Sequence, residues 1–284
     1  MAWVRTVPVG SAADALSSPE DGPPPPDREA ARHELKMEHQ RRRELLIASD
    51  SRLRAGYAWD AAPKVLRLPR GDSVLAFAGQ TAFAYPLMLQ AWNAVDSWRP
   101  SRDRWQRLAV LKGHLIRVFN GMLDEVSDLP EFEERIDPEA VLLLAGFCWS
   151  EQQFRIWILR YDQGIQRFTF QPASPWRGRA NRGKILAVVG DGVHEAKARL
   201  VSMLRAQRTL TVGGFDLEPL RVLKSMAVDP TFPTIGEPIQ LVKVYQSLNS
   251  AAFVVPSGED GRPTLLGRPL LTYEKPDRHP AFQW

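Results

Sequence analysis

The 284-residue sequence has only one cysteine, and no apolar run in it approaches the roughly 18 residues that a membrane span requires. The single cysteine, Cys148, excludes disulfides within the chain, and its place in the apolar run 141–149 is typical of a core side chain. Residues 1–10 lead into a polar, proline-rich stretch and not into the apolar core of a signal peptide. We therefore expect a cytoplasmic protein with no membrane segment.

A clear excess of charge of one sign is also missing. The 37 basic residues are almost balanced by 33 acidic residues spread along the chain, which leaves a formal net charge of +4. Nucleic-acid binding needs clustered basic side chains, and the five histidines show no metal-ligand spacing. We predict no nucleic-acid partner, no metal and no cofactor.

The composition is that of an ordinary globular protein, with 44% hydrophobic residues. In some segments these residues recur at the spacing of a helix, and in others they form the short apolar runs of strands. Four strands come first, followed by two amphipathic helices, four strands, two more helices and a last group of strands. This order favours an α+β protein over alternating βαβ units. We predict one domain over residues 1–284, with a polar insertion at 11–43 and an irregular C-terminal tail at 268–284. The strands are predicted at 2–9, 44–50, 64–68, 73–78, 140–147, 154–161, 167–171, 185–189, 239–245, 252–255 and 264–266, and the helices at 81–95, 104–126, 194–205 and 218–227.

Five short motifs follow one another in a characteristic order. They are Ala48-Ser49-Asp50-Ser51-Arg52 at a strand end, Lys64 at the start of the next strand, Phe77-Ala78-Gly79-Gln80-Thr81 at a strand-to-helix turn, Gly190-Asp191-Gly192 before a helix, and Gly236 ahead of a late strand. This series resembles proteasome β-subunits and their bacterial relatives over about residues 45–255. The resemblance implies the four-layer αββα sandwich of the N-terminal-nucleophile hydrolases.

The resemblance also implies a site for threonine-type peptide hydrolysis. In such proteins the first residue attacks a peptide carbonyl while its own amino group or a neighbouring lysine takes the proton. On this mapping Lys64 is the ammonium, Asp50 is the carboxylate that orients it, and the Gly79 N–H is the oxyanion donor. Asp191 stands in the turn where the family usually has serine.

Two departures from the family pattern concern the site itself. Ala2, the residue exposed when an initiator methionine is removed, stands where the family has a nucleophile, and its methyl group cannot attack a carbonyl. The family's Asp-x-x-Ser before the penultimate strand is replaced by 232–235, with Asp229 a few residues earlier. Two interpretations are open: a peptidase lineage that is inactive as written, or a pseudo-enzyme that serves as an oligomeric scaffold.

The first helix pair predicts a partner surface. The segments 81–95 and 104–126 and their connection carry more aromatic residues than one buried face needs, among them Trp98 and Trp105. We expect a homo-oligomer, either a ring or a simple dimer, and a peptide or protein as substrate. The pattern of residues leaves the oligomer size and any ATPase partner open.

Overall fold

A computed structural model describes residues 1–6, 43–54, 56–127, 137–176, 184–211 and 214–284. It is a mixed α and β structure in which every pairing between named strands is antiparallel. The described strands are β1 (Ala2–Thr6), β2 (Arg43–Ser49), β3 (Leu53–Arg54), β4 (Ala58–Trp59), β5 (Val65–Arg67), β6 (Ser73–Gly79), β7 (Ala140–Cys148), β8 (Gln153–Asp162), β9 (Arg167–Pro172), β10 (Leu186–Ala187), β11 (Gln240–Tyr245), β12 (Ser250–Ala252), β13 (Val254–Ser257), β14 (Arg262–Leu265) and β15 (Arg268–Pro269). The described helices are α1 (Thr81–Ser97), α2 (Arg99–Arg102), α3 (Leu108–Leu123), α4 (Val193–Ala206) and α5 (Glu218–Ala227).

Two five-stranded sheets form the body of the protein. The first has the order β10-β1-β2-β11-β12, and the second has the order β5-β6-β7-β8-β9. The first two strands pair with each other, since Ala2 lies opposite Ile47 and the ladder continues to Thr6 and Arg43. Two small sheets, β3-β4 and β13-β14-β15, complete the described strands.

Alternation along β2 shows how the core is divided. Leu45 and Ile47 point into a buried cluster that contains side chains of both large sheets, such as Val74 and Leu143. Leu46 and Ala48, one residue out of phase, belong to a second cluster shared with α4 and α5. Because successive side chains of a strand leave opposite faces, the first sheet is buried on both sides. A third cluster packs α1 and α3 against the second sheet.

Several predicted boundaries need correction. The helix predicted over 104–126 begins only at Leu108, because Arg104 has a φ of 62° in the left-handed region, which ends helical geometry between α2 and α3. The predicted insertion at 11–43 overlaps β2 by one residue, Arg43, and its other residues lie outside the described ranges. The strands β3 and β4 are not in the prediction, because each contains only two residues.

The C-terminal tail is less irregular than predicted. β15 pairs with β14, and Phe282 is buried against Phe253 with ring centroids 6.3 Å apart. The Phe282 N–H donates to the carbonyl of Val254 at 2.7 Å, which continues a short bridge between residues 254 and 281. One aromatic ring therefore holds the end of the chain against the first sheet.

Candidate functional site

An ion pair between Asp50 and Lys64 forms the centre of the candidate site. Asp50 follows β2 directly and Lys64 precedes β5, so the ends of two strands from different sheets bring the groups together. The Lys64 Nζ lies 3.0 Å from Asp50 Oδ1 and 2.9 Å from Oδ2, and both side chains are mostly buried. Asp50 Oδ2 also accepts the backbone N–H of Arg52 at 3.1 Å and that of Gly236 at 3.4 Å. The carboxylate is therefore held from three directions.

The amino group of Met1 lies beside this pair. It donates to the carbonyl of Ala48 at 2.6 Å, while the Ala48 N–H donates to the Met1 carbonyl at 2.8 Å, so Met1 continues the pairing of β1 with β2. Burial lowers the pKa of the amino group from 8.0 to about 6, Asp50 opposes this shift, and Lys64 adds to it. An amine with this pKa is mainly neutral at pH 7 and can accept a proton.

A cavity of about 540 Å³ contains these groups, and Met1, Asp50, Lys64, Gly79 and Asp191 all contribute to its lining. Four of the five residues predicted for the site therefore meet around one space. Apolar side chains from both large sheets and from α5 also line it, including Ala48, Phe77, Leu223 and Met226.

Ala2, the fifth predicted residue, does not line this cavity. Its side chain is fully buried in the cluster between the two large sheets, on the same side of β1 as Val4. Met1 lies on the opposite side of β1, together with Trp3. Of the first two residues, Met1 and not Ala2 therefore lines the cavity.

Gly79 and Asp191 lie at exposed positions of the lining. Gly79 has a φ of 98°, and a Cβ built on it would lie 2.1 Å from the carbonyl oxygen of Glu139, so no other residue fits there without moving the backbone. Asp191 stands in the predicted turn, between Gly190 with a φ of 100° and Gly192 with a φ of 66°, just before α4. Both residues owe their placement to backbone turns at element ends.

Two other groups that could carry chemistry are engaged elsewhere. Cys148 is fully buried at the end of β7 in the cluster with α1 and α3. Asp229 pairs with Arg199 at 2.6 Å and accepts the Thr231 hydroxyl at 2.7 Å, contacts that lower its pKa to about 2. Neither residue lines the cavity. The hydroxyl groups that do line it belong to Ser49, Thr81 and Thr234.

The site offers a proton acceptor, an ion pair and a glycine turn around one cavity. In the described ranges no three His, Cys, Asp or Glu side chains group closely enough to hold a metal ion. None of the helices in those ranges combines the length and the apolar character needed to cross a membrane.

Comparison with known proteins gives no further assignment. No protein-family model matches the chain, and no curated protein matches its sequence.

Proposed function

We propose that this chain has the four-layer αββα sandwich of the N-terminal-nucleophile hydrolases and that its cavity corresponds to their active site without the nucleophile. Two facing antiparallel sheets, each packed against helices on its other side, support this architecture. The proposed role is to bind an extended peptide or protein segment in the cavity without cleaving it.

One observation carries the proposal: the buried amino group of Met1 lies beside the Asp50–Lys64 pair in a cavity. A structural ion pair needs no neutral amine next to it, whereas a hydrolase that uses its first residue needs this combination to take a proton from the attacking hydroxyl. The Lys64 ammonium favours the neutral amine, and Asp50 holds the ammonium in place.

In an active hydrolase of this type, each of these groups has a defined role. A hydroxyl at residue 1 would give its proton to the amine and attack the peptide carbonyl, and the N–H of Gly79 would stabilise the resulting oxyanion. The leaving amine would take the proton, and water would then release the acyl group from the hydroxyl oxygen. The thioether of Met1 has no proton to give, so the reaction cannot take its first step in this chain.

The test restores the missing hydroxyl. The variant Met1→Thr, released from a removable N-terminal fusion so that residue 1 is free, is assayed with fluorogenic peptides beside the wild type. We expect no turnover by the wild type and measurable turnover by Met1→Thr that is lost on adding Lys64→Met. A folded Met1→Thr protein with no turnover, or a wild type that hydrolyses peptides in a Lys64-dependent way, would contradict the proposal.

A second candidate function is a scaffolding subunit of an oligomer. It is favoured by the exposed aromatic side chains around α1 to α3, where Trp98 and Trp105 are 41% and 63% exposed. A partner that covers these rings would remove a large apolar area from water. The two functions differ in the hydrolysis assay, because a scaffold needs no catalytic geometry and gains no turnover from Met1→Thr.

A further inference from the structure

The side chain of Gln240 lies beneath the Asp50–Lys64 pair and is fully buried. It stands at the start of β11, where its backbone pairs with Ser49 next to Asp50. Its side chain joins two chain segments that are remote in sequence from it, the end of β2 and the stretch before β5. These two segments carry Asp50 and Lys64.

Both ends of the Gln240 amide are used. The Oε1 atom accepts the backbone N–H of Lys64 at 3.0 Å. The Nε2 atom donates to the carbonyl of Ala62 at 2.7 Å and to the Ser51 hydroxyl oxygen at 2.9 Å, and it lies 3.3 Å from the carbonyl of Asp50. The Ser51 hydroxyl donates onward to the carbonyl of Pro238 at 2.6 Å. Only a side chain with a donor and an acceptor on one planar group can make these contacts together.

We infer that Gln240 is a positioning residue for the site, fixing the backbones of Asp50 and Lys64 so that the carboxylate and the ammonium meet in the cavity. This inference rests on the proposed function for its relevance to a reaction, but the geometry can be tested without any activity. Because Gln240 does not line the cavity, it acts only through its neighbours.

The alternative is a purely structural role, in which Gln240 holds β11 in the sheet and has no special effect on Lys64. Lys243, three residues further along β11, separates the two possibilities. Its side chain is as buried as that of Lys64, with 12% exposure for each, and it also forms an ion pair, to Glu44 at 3.2 Å. General loosening of β11 exposes Lys243, whereas loss of positioning exposes Lys64 alone.

The experiment is trace acetylation of the full chain with acetic anhydride, in which mass spectrometry gives the rates at Lys64 and Lys243. The variant Gln240→Leu removes all the side-chain hydrogen bonds, and Gln240→Glu keeps an acceptor for the Lys64 N–H but loses the donor. Gln240→Leu leaves buried carbonyl groups without a hydrogen-bond donor, which destabilises the local arrangement of the two segments. We therefore expect the acetylation rate of Lys64 to rise by about tenfold relative to that of Lys243 in this variant. Gln240→Glu, which turns a carboxylate oxygen toward the carbonyls of Ala62 and Asp50, should also raise this ratio.

An unchanged ratio in both variants, or equal increases at the two lysines, would overturn the inference. If Gln240→Leu does not fold, the ratio in Gln240→Glu decides the question. Failure of Met1→Thr to hydrolyse peptides would count against the proposed function and would leave the lysine ratio unaffected.

Discussion

Acidification should weaken the fold through the amino group of Met1. Its pKa is 8.0 in an exposed chain terminus and about 6 in the folded protein, where burial disfavours the charged form. Between these values the unfolded chain binds a proton that the folded chain does not, so the free energy of unfolding rises with pH. The stabilisation relative to acid pH is complete above pH 8 and is lost as the pH falls through 6.

The size of this effect follows from the pKa difference. A pKa difference of two changes the free energy of unfolding by about 2.7 kcal/mol in full, of which about 2 kcal/mol develops between pH 6 and pH 8. Urea unfolding at a series of pH values measures it, on protein whose intact mass shows Met1 as the first residue. His114, whose pKa burial also lowers, adds a pH dependence of its own in the acid range.

A matched protein with an acetylated amino group separates the two contributions, because acetylation removes the amine titration and keeps His114. The free-amine protein should therefore lose about 2 kcal/mol more than the acetylated protein between pH 8 and pH 6. The variant Lys64→Met should reduce this difference, since it removes a positive charge that lowers the pKa of the amine. Equal pH dependence in the free and acetylated proteins would refute the reasoning.

Two further predictions concern the glycine turn and the exposed aromatic surface. Gly79→Ala should lower the free energy of unfolding by about 3 kcal/mol or more, because it adds a Cβ against a carbonyl oxygen at a positive φ. The control Gly121→Ala, in α3 with open space around it, should raise the free energy of unfolding by about 0.5–1 kcal/mol. Equal effects of the two substitutions in urea unfolding would contradict the strain at Gly79. The pair Trp98→Glu/Trp105→Glu should convert an oligomer into a species near the 32.0 kDa monomer mass in analytical ultracentrifugation, and Tyr273→Glu, at an exposed position of the tail, should not; a wild type that is already monomeric would contradict the predicted assembly.

Much of the fold follows from local patterns that the sequence displays. The short apolar run of β2 and the helical spacing in α1 depend on side chains that are close in sequence, and both elements lie within two residues of their predicted bounds. The start of the helix predicted at 104–126 could not be predicted in this way, because the left-handed conformation of Arg104 interrupts a helical spacing that otherwise continues.

The lining of the candidate cavity could be predicted only in part, because it depends on the register of strand pairing. The order of motifs led to Asp50, Lys64, Gly79 and Asp191, which all line the cavity. Whether Met1 or Ala2 reaches the cavity depends on the pairing of β1 with β2, about 40 residues later in the chain. A shift of one residue in this pairing exchanges the two faces of β1, and no local pattern records it.

The contacts of Gln240 were missed for a related reason. A single glutamine at a strand start has no distinctive sequence pattern, and its partners come from segments about 180 residues away in the chain. Only the folded arrangement brings them together.

We propose that the cavity retains the arrangement of a hydrolase around residue 1, and a covalent inhibitor tests this proposal most directly. Two variants, Met1→Thr and Ala2→Thr without Met1, are treated with a peptide epoxyketone that reacts with an N-terminal threonine, and intact mass is recorded. We expect one adduct per chain on Met1→Thr, its loss with Lys64→Met, and none on Ala2→Thr, whose side chain faces the cluster between the sheets. An adduct on Ala2→Thr alone, or on neither folded variant, would contradict the account.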